Sequence, residues 1–187
     1  MNNDLQREDE RFIRRLLQGD EHAFTALYGE YGGPVYRFAL YMSSDRVLAE
    51  EITQETFLFL LANAKSYDVA RGSLLSWLLG IARNISRRTM RNEGFTTDAF
   101  EDIGEVEIEQ DIDLHQELAH REMIESVRRV VQSLPATLRE VVILCELQEL
   151  NYKEAATVVG CPIGTIRSRL SRARALLLSK LKMECSA

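Results

Sequence analysis

The sequence predicts an all-α protein of two small helical domains, residues 1–92 and 121–187, joined by a flexible acidic linker over 93–120. Three observations predict it. Outside 93–120 the apolar residues recur at steps of three and four, and no stretch holds a strand's period of two for long. The charge is uneven: residues 1–92 carry 12 basic and 12 acidic side chains, 93–120 carry 0 and 10, and 121–187 carry 11 and 7. Finally, 187 residues with 45% hydrophobic content suffice for one moderate domain or two small ones with buried cores.

The elements of the first domain follow in order. In "EDERFIRRLLQG" Phe12, Ile13, Leu16 and Leu17 form one stripe that ends at Gly19. Asp20 is placed to cap a second helix carrying Phe24, Leu27, Tyr28 and Tyr31. "GGP" at 32–34 predicts a break in the chain. The helical period resumes in "VYRFALYM" and in "DRVLAEEITQETFLFLLANAKSY". A short "DVARG" loop precedes the last helix of this half, "SLLSWLLGIARNISRRTMRN".

The segment 93–120 has few large apolar residues and charge of a single sign, so burial cannot offset its ordering entropy. It reads either as a solvated spacer or as a polyanionic strand for a basic channel of a partner or for this protein's own basic surfaces. Its later part, from Asp113, is expected to join a helix. His115 and His120 lie there at a spacing of five, not the i,i+4 spacing of a zinc helix.

The second domain begins with "REMIESVRRVVQSL" and has Pro135 at a helix start, with Thr137 and Glu140 at capping-box spacing. "ATLREVVILCELQEL" supplies an apolar stripe. Asn151 and Glu154 form a second cap-like pair, Gly160 and Pro162 make a sharp turn, and the final helix runs from about Ile163 to Lys182. A short helix, a glycine turn and a longer helix match a helix-turn-helix. Ile163, Ile166, Leu170, Ala173, Leu177 and Leu181 form the stripe expected to face the core.

The charged residues then suggest chemistry. From 163 to 182 there are six basic residues and no acidic one. Thr165, Ser168, Arg169 and Arg172 lie off the core stripe, with Arg167, Ser171 and Arg174 beside them. Guanidinium groups and hydroxyls in this array suit phosphates and guanine edges, the alternative being a merely cationic surface. A second acid-free stretch, 69–92, holds Arg71, Arg83, Arg87, Arg88 and Arg91, with Asn84 among them. Tyr67 and Trp77 lie nearby, either as core residues or as platforms for an unpaired base. In "AEEITQETF", Glu51 and Glu55 share a helix face flanked by Glu50 and Gln54. With no histidine or metal ligand near them, they suit a cationic partner surface or plain solvent far better than acid–base catalysis.

No P-loop or G-x-S-x-G sequence occurs, and no catalytic centre, cofactor or metal site is expected. Cys145, Cys161 and Cys185 are too few and too scattered for a disulfide framework; whether one of them senses redox state is open. No apolar run is long enough to span a bilayer, and the first residues do not read as a secretory signal. The expectation is a cytoplasmic protein without membrane insertion, monomeric when free.

Taken in order, these motifs resemble the extracytoplasmic-function (group 4) sigma factors of bacterial RNA polymerase, over nearly the whole chain. "GDEHAFTALYGEYGGPVYRFAL" looks like the start of a sigma-2 domain, and "AEEITQETFLFL" like its acidic D-x-x-Q-E-x-F helix. "GSLLSWLLGIARNISRRTMR" is similar to the G-S-x-W-L-x-x-I-A-R-N helix, and "PIGTIRSRLSRARALL" to the sigma-4 signature. The resemblance implies that Glu50, Glu51, Gln54 and Glu55 dock on core RNA polymerase. It implies that the loop Tyr67–Ser73, including Arg71, and Arg83, Asn84, Arg87, Arg88 and Arg91 bind and help melt the −10 element of promoter DNA. Tyr152, Lys153, Thr165, Arg167, Ser168, Arg169, Ser171 and Arg172 would serve the −35 element. It further implies a linker directed toward the RNA exit path and control by an anti-sigma factor. Glu51 stands where the family more often has aspartate, and the "DVAR" loop is slightly longer than usual. The runner-up reading is a stand-alone helix-turn-helix regulator; an all-α enzyme or scaffold comes third.

Overall fold

The computed structural model describes residues 2–92 and 127–184, and among these all regular structure is helical. The expected acidic linker 93–120, with His115 and His120, lies outside the described residues, as does Cys185.

Four helices build the N-terminal unit: α1 (Asn2–Leu17), α2 (Glu21–Ser43), α3 (Arg46–Asn63) and α4 (Leu74–Asn92). Helix α1 ends in a turn whose Gly19 has φ of +80°, a conformation that favours glycine. Asp20 then caps α2 by accepting from the backbone N–H groups of His22 and Ala23, while Arg15 Nε donates to its second oxygen at 2.8 Å. That guanidinium holds the Asp20 carboxyl below its ordinary range. Asp45 caps α3 in the same manner through Leu48 N–H.

The break predicted at "GGP" does not occur: α2 runs unbroken through Gly32, Gly33 and Pro34. The reason is tertiary. Leu27, Tyr31, Val35 and Phe38 form a continuous buried stripe along α2, each of them under a tenth exposed. A proline inside a helix costs about 3 kcal/mol, and each large apolar side chain fully buried returns about 1.5–3 kcal/mol. Burial along the stripe therefore outweighs the local penalty.

Between α3 and α4 the chain makes two 3-10 turns, Ala64–Ser66 and Val69–Arg71. The C-terminal unit begins with α5, whose described residues are 127–132. Next come α6 (Ala136–Val142) with a π-helical turn at Ile143–Leu147, α7 (Tyr152–Val159) and α8 (Ile163–Glu184). Pro135 is the cap residue of α6, and no side chain caps it. The expected Thr137–Glu140 capping pair is not formed: the cap falls at Pro135, so Thr137 already lies inside α6, and Glu140 is committed to an arginine of the other unit. The Asn151–Glu154 box is complete: the Asn151 side chain accepts from Lys153 and Glu154 N–H, and Glu154 Oε2 accepts from Asn151 N–H. Gly160, at φ +70°, ends α7.

The two units are packed together in a single buried apolar cluster that runs from Ile13 to Ala173. Helix α4 lies against α7, and α2 meets α6 and its π turn. Side-chain hydrogen bonds cross the seam at several points. Arg83 Nε donates to Glu140 Oε1, both side chains being buried. Arg139 donates to Met42 O at 3.0 Å and also to Gln132 O and Leu134 O, so one guanidinium satisfies carbonyls at the ends of α2 and α5 and just past α5. Gln148, set by the π turn, donates from Nε2 to Pro34 O at 3.0 Å.

Candidate nucleic-acid and polymerase interfaces

On α3 the buried residues are Leu48, Ala49, Ile52, Thr53, Thr56, Phe57 and Leu60. The pattern leaves Glu50, Glu51, Gln54 and Glu55 together on the exposed face. Phe57 is held from the other side by Phe24 and Tyr28, at ring-centroid distances of 6.2 and 4.8 Å. One turn further on, Leu58, Phe59 and Leu61 are exposed at 56%, 44% and 46%. An acidic patch that runs into an apolar one is unusual for plain solvent. Sequence reasoning found the acids and missed these apolar residues, although the "FLFLL" run was the available signal.

On α4 the inward side carries Leu74, Leu78, Leu79, Ala82 and Ile85, all buried. Asn84, Arg87, Arg88 and Arg91 are exposed on the opposite side. Arg83 is not with them: it is 9% exposed and turned into the seam against Glu140. A four-residue step rotates a helix position by 40°, enough here to move Arg83 across the boundary between solvent and packed surface. Arg88 donates to Glu55 at 2.7 Å, so a residue expected on DNA meets one expected on polymerase. Both are half exposed or more, and such a pair is worth little in water.

The loop before α4 holds Tyr67, Arg71 and Ser73. Tyr67 stacks obliquely on Trp77, with centroids 5.5 Å apart, and both rings are half-buried against the core. Arg71 is exposed. A cleft of about 330 Å³ opens beside the loop, lined by Arg71, Ser73, Trp77 and Asn84 from one unit and Thr157 and Val158 from the other. Ser73 Oγ donates across it to Glu154 Oε1 at 3.4 Å.

In the C-terminal unit α7, Gly160 and α8 form the expected helix-turn-helix. Ile166, Leu170 and Ala173 are 0–1% exposed and anchor α8. Leu177 is half-buried, the Leu181 side chain lies outside the described residues, and Ile163, expected in the core stripe, is 39% exposed. Ile163 is the first residue of α8, where the helix has just left the turn. Arg167, Ser168, Ser171 and Arg172 form a continuous exposed face, bordered by the half-exposed Thr165 and Arg169. Tyr152 and Lys153, at the start of α7, join this face. The Arg167 guanidinium lies over the Tyr152 ring, 6.0 Å from its centroid. Arg174 is drawn aside to Glu146 at 2.6 Å, and that bond raises its already high pKa.

Cys145 and Cys161 are free thiols, both half-buried. Burial, with Glu146 next to it, pushes the Cys145 thiol up to about 11. Among the described residues no helix is long and apolar enough to cross a membrane.

Comparison with known proteins agrees with this architecture. Residues 27–96 match the family described as Sigma-70 region 2, and residues 124–177 match Sigma-70, region 4. The chain is 35% identical over 165 residues to the ECF RNA polymerase sigma factor SigC of Mycobacterium tuberculosis, covering 87% of this chain and 85% of that one. It is 26% identical to the ECF RNA polymerase sigma-E factor of Haemophilus influenzae, over 93% and 95% of the two chains. Among solved structures, CnrH in complex with the cytosolic domain of CnrY superposes with a TM-score of 0.71 at 22% identity, over 94% and 97% of the chains. The sigma factor RpoE in complex with the anti-sigma factor NepR from Bartonella quintana gives 0.69 at 29%, over 85% and 96%. The chain therefore belongs to the extracytoplasmic-function sigma factors of the sigma-70 family.

Proposed function

We propose that this sigma factor directs core RNA polymerase, in the cytoplasm, to promoters with two separated elements and helps open them. Residues 1–92 serve the polymerase and the −10 element, 121–187 serve the −35 element, and 93–120 tether the two. Glu50, Glu51, Gln54 and Glu55, continued by Leu58, Phe59 and Leu61, form the polymerase-docking ridge. Tyr67, Arg71, Ser73, Asn84, Arg87, Arg88 and Arg91 track the −10 strand, with Arg83 joining only when the seam opens. Tyr152, Lys153, Thr165, Arg167, Ser168, Arg169, Ser171 and Arg172 meet the −35 major groove.

The observation that carries this reading is the face of α8. Its inner residues are sealed in the core, its outer face holds Arg167, Ser168, Ser171 and Arg172, and no acid shares that face. A solvated helix ordinarily mixes signs for i,i+4 pairing, whereas DNA rewards a single sign. The test is an anisotropy titration of the holoenzyme on a promoter fragment. Replacing Arg172 by alanine should weaken binding and lower the slope of log K against log salt by about 1 if it contacts a phosphate. An unchanged slope and affinity for both Arg169→Ala and Arg172→Ala removes α8 from the −35 element.

A relative of known structure is held by an anti-sigma factor. The same control suits this chain, since the acidic–apolar ridge of α3 and the exposed face of α8 both stand open for a partner to cover. An inhibitor pulled down with the full chain should lose its hold when Leu58 and Phe59 are replaced by serine.

A further inference from the structure

Asp9 on α1 is 3% exposed, and none of the roles above uses it. Its carboxylate stands where four segments meet. The Tyr31 hydroxyl of α2 donates to Oδ1 at 2.6 Å. The backbone N–H of Leu74, the first residue of α4, donates to Oδ2 at 2.8 Å. The Tyr67 hydroxyl lies 3.4 Å from that same oxygen and 3.2 Å from Gly72 O, and divides its one proton between them.

A buried carboxylate persists only where donors meet it, and here the donors define a geometry. Leu74 N–H is one of the orphan donors at a helix start, so Asp9 caps α4 from another helix and faces the positive end of its dipole. Tyr67 and Leu74 lie at the two ends of the 67–73 loop, so a single side chain pins both. Between the pins, Asp68, Ala70 and Arg71 are exposed. Helix α1 also packs against both 3-10 turns. Burial first, then the Asp9 charge, raises the Tyr67 hydroxyl above the ordinary phenol range, so it stays a proton donor.

We propose that Asp9 is a positioning residue for promoter opening, holding Arg71 and the Tyr67–Trp77 pair from α1 in the arrangement that receives an unpaired DNA base. This rests on the reading of the 67–73 loop as a −10 surface. A loop fixed beforehand spares the ordering cost that a free loop would bear on capturing a strand.

The test uses the full chain bound to core RNA polymerase and a labelled single-stranded DNA pool randomised over six positions. Capture strength and the base preference of the captured strands are both read. Asp9→Asn keeps the size of the side chain but sets an amide N–H against one of its donors. The expected result is a loss of about tenfold in capture, the equivalent of one base contact, with preference flattened at one position. Faster hydrogen exchange at the Leu74 amide should accompany it, with polymerase affinity unchanged. A uniform loss of capture with the preference intact would mark a fold that was only weakened and would overturn the positioning role. Wild-type capture and preference in Asp9→Asn, with Arg71→Ala impaired, overturns the positioning role and leaves the −10 surface standing. Wild-type capture in both variants overturns the −10 surface and the proposal with it. If Asp9→Asn does not fold, Tyr31→Phe, which removes the 2.6 Å donor, should shift base preference in the same manner, and no shift there overturns the proposal.

Discussion

Arg83 on α4 and Glu140 on α6 face one another across the seam between the two units, the guanidinium donating to the carboxylate with both side chains buried. This pair, with Arg139 on Met42 O and Gln148 on Pro34 O, gives the packed arrangement its polar register. It also keeps one basic residue of α4 away from solvent. Removing one partner of a buried pair strands the other charge, at about 3–5 kcal/mol, whereas replacing both with apolar residues is often neutral. Glu140→Leu should therefore loosen the seam, lowering the melting temperature and raising the radius of gyration in X-ray scattering. The double variant Arg83→Met, Glu140→Leu should restore most of both. If the single variant melts and scatters like the parent, the pair does not hold the seam.

Gly72 is the second place where the chain has little choice. Its φ of +154° disfavours other residues, and a Cβ there would stand 2.7 Å from Ser76 Oγ. Ser76 cannot easily yield, because it is buried and its hydroxyl donates to Ser73 O at 2.8 Å. Gly72→Ala should cost about 1–3 kcal/mol in urea unfolding. The damage should appear as faster hydrogen exchange confined to residues 64–76. Unaltered exchange there would show that the turn is not constrained.

How much of this was legible in the sequence depended on distance along the chain. The caps at Asp20 and Asn151–Glu154 need only residues within three positions, and they form as read. The inner stripe of α8 was legible from its spacing at Ile166, Leu170 and Ala173, with Leu177 half-buried; Ile163 lies just where the helix leaves the turn, and the Leu181 side chain lies outside the described residues. Pro34 was misread as a break because the local penalty is written in the sequence and the burial of Val35 and Phe38 that overrides it is not. Thr137 and Glu140 had the right spacing for a cap, but the helix starts at Ala136, so Thr137 lies inside it, and Glu140 is taken by Arg83, 57 residues away. Asp9 gave no signal at all, since its three donors lie 22, 58 and 65 residues away. Long-range polar partners leave no periodic trace.

The Asn151 cap offers a stability test in the C-terminal half. Asn151→Ala removes the acceptor for Lys153 and Glu154 N–H and should cost about 1 kcal/mol. Tyr152 and Lys153 of α7 belong to the proposed −35 face, but the buried side of α7 (Ala155, Ala156, Val158 and Val159) still seats the helix without its cap, so the denaturation midpoint should fall while −35 affinity at low temperature drops only slightly. A large loss of DNA affinity with no change in midpoint would mean that Asn151 acts on DNA directly.

Cys145 makes a prediction in pH. Its thiol is pushed up to about 11, so the reactive thiolate is scarce at neutral pH and grows as pH rises toward that value. Iodoacetamide should label Cys145 slowly at pH 7.5 and about tenfold faster for each unit of pH up to about 10, the gain expected below a thiol pKa. Rapid labelling at pH 7.5, read by mass spectrometry, would instead mark Cys145 as poised for redox chemistry.

The central claim is that this chain confers promoter choice on RNA polymerase, and run-off transcription tests it most directly. Core polymerase with the purified full chain, given fragmented genomic DNA, should initiate at a discrete set of sites that share two spaced elements. The variant Arg169→Ala, Arg172→Ala should lose most of that initiation while still binding core. Transcription no different from that of core enzyme alone, with the chain bound and no inhibitor present, would contradict the account.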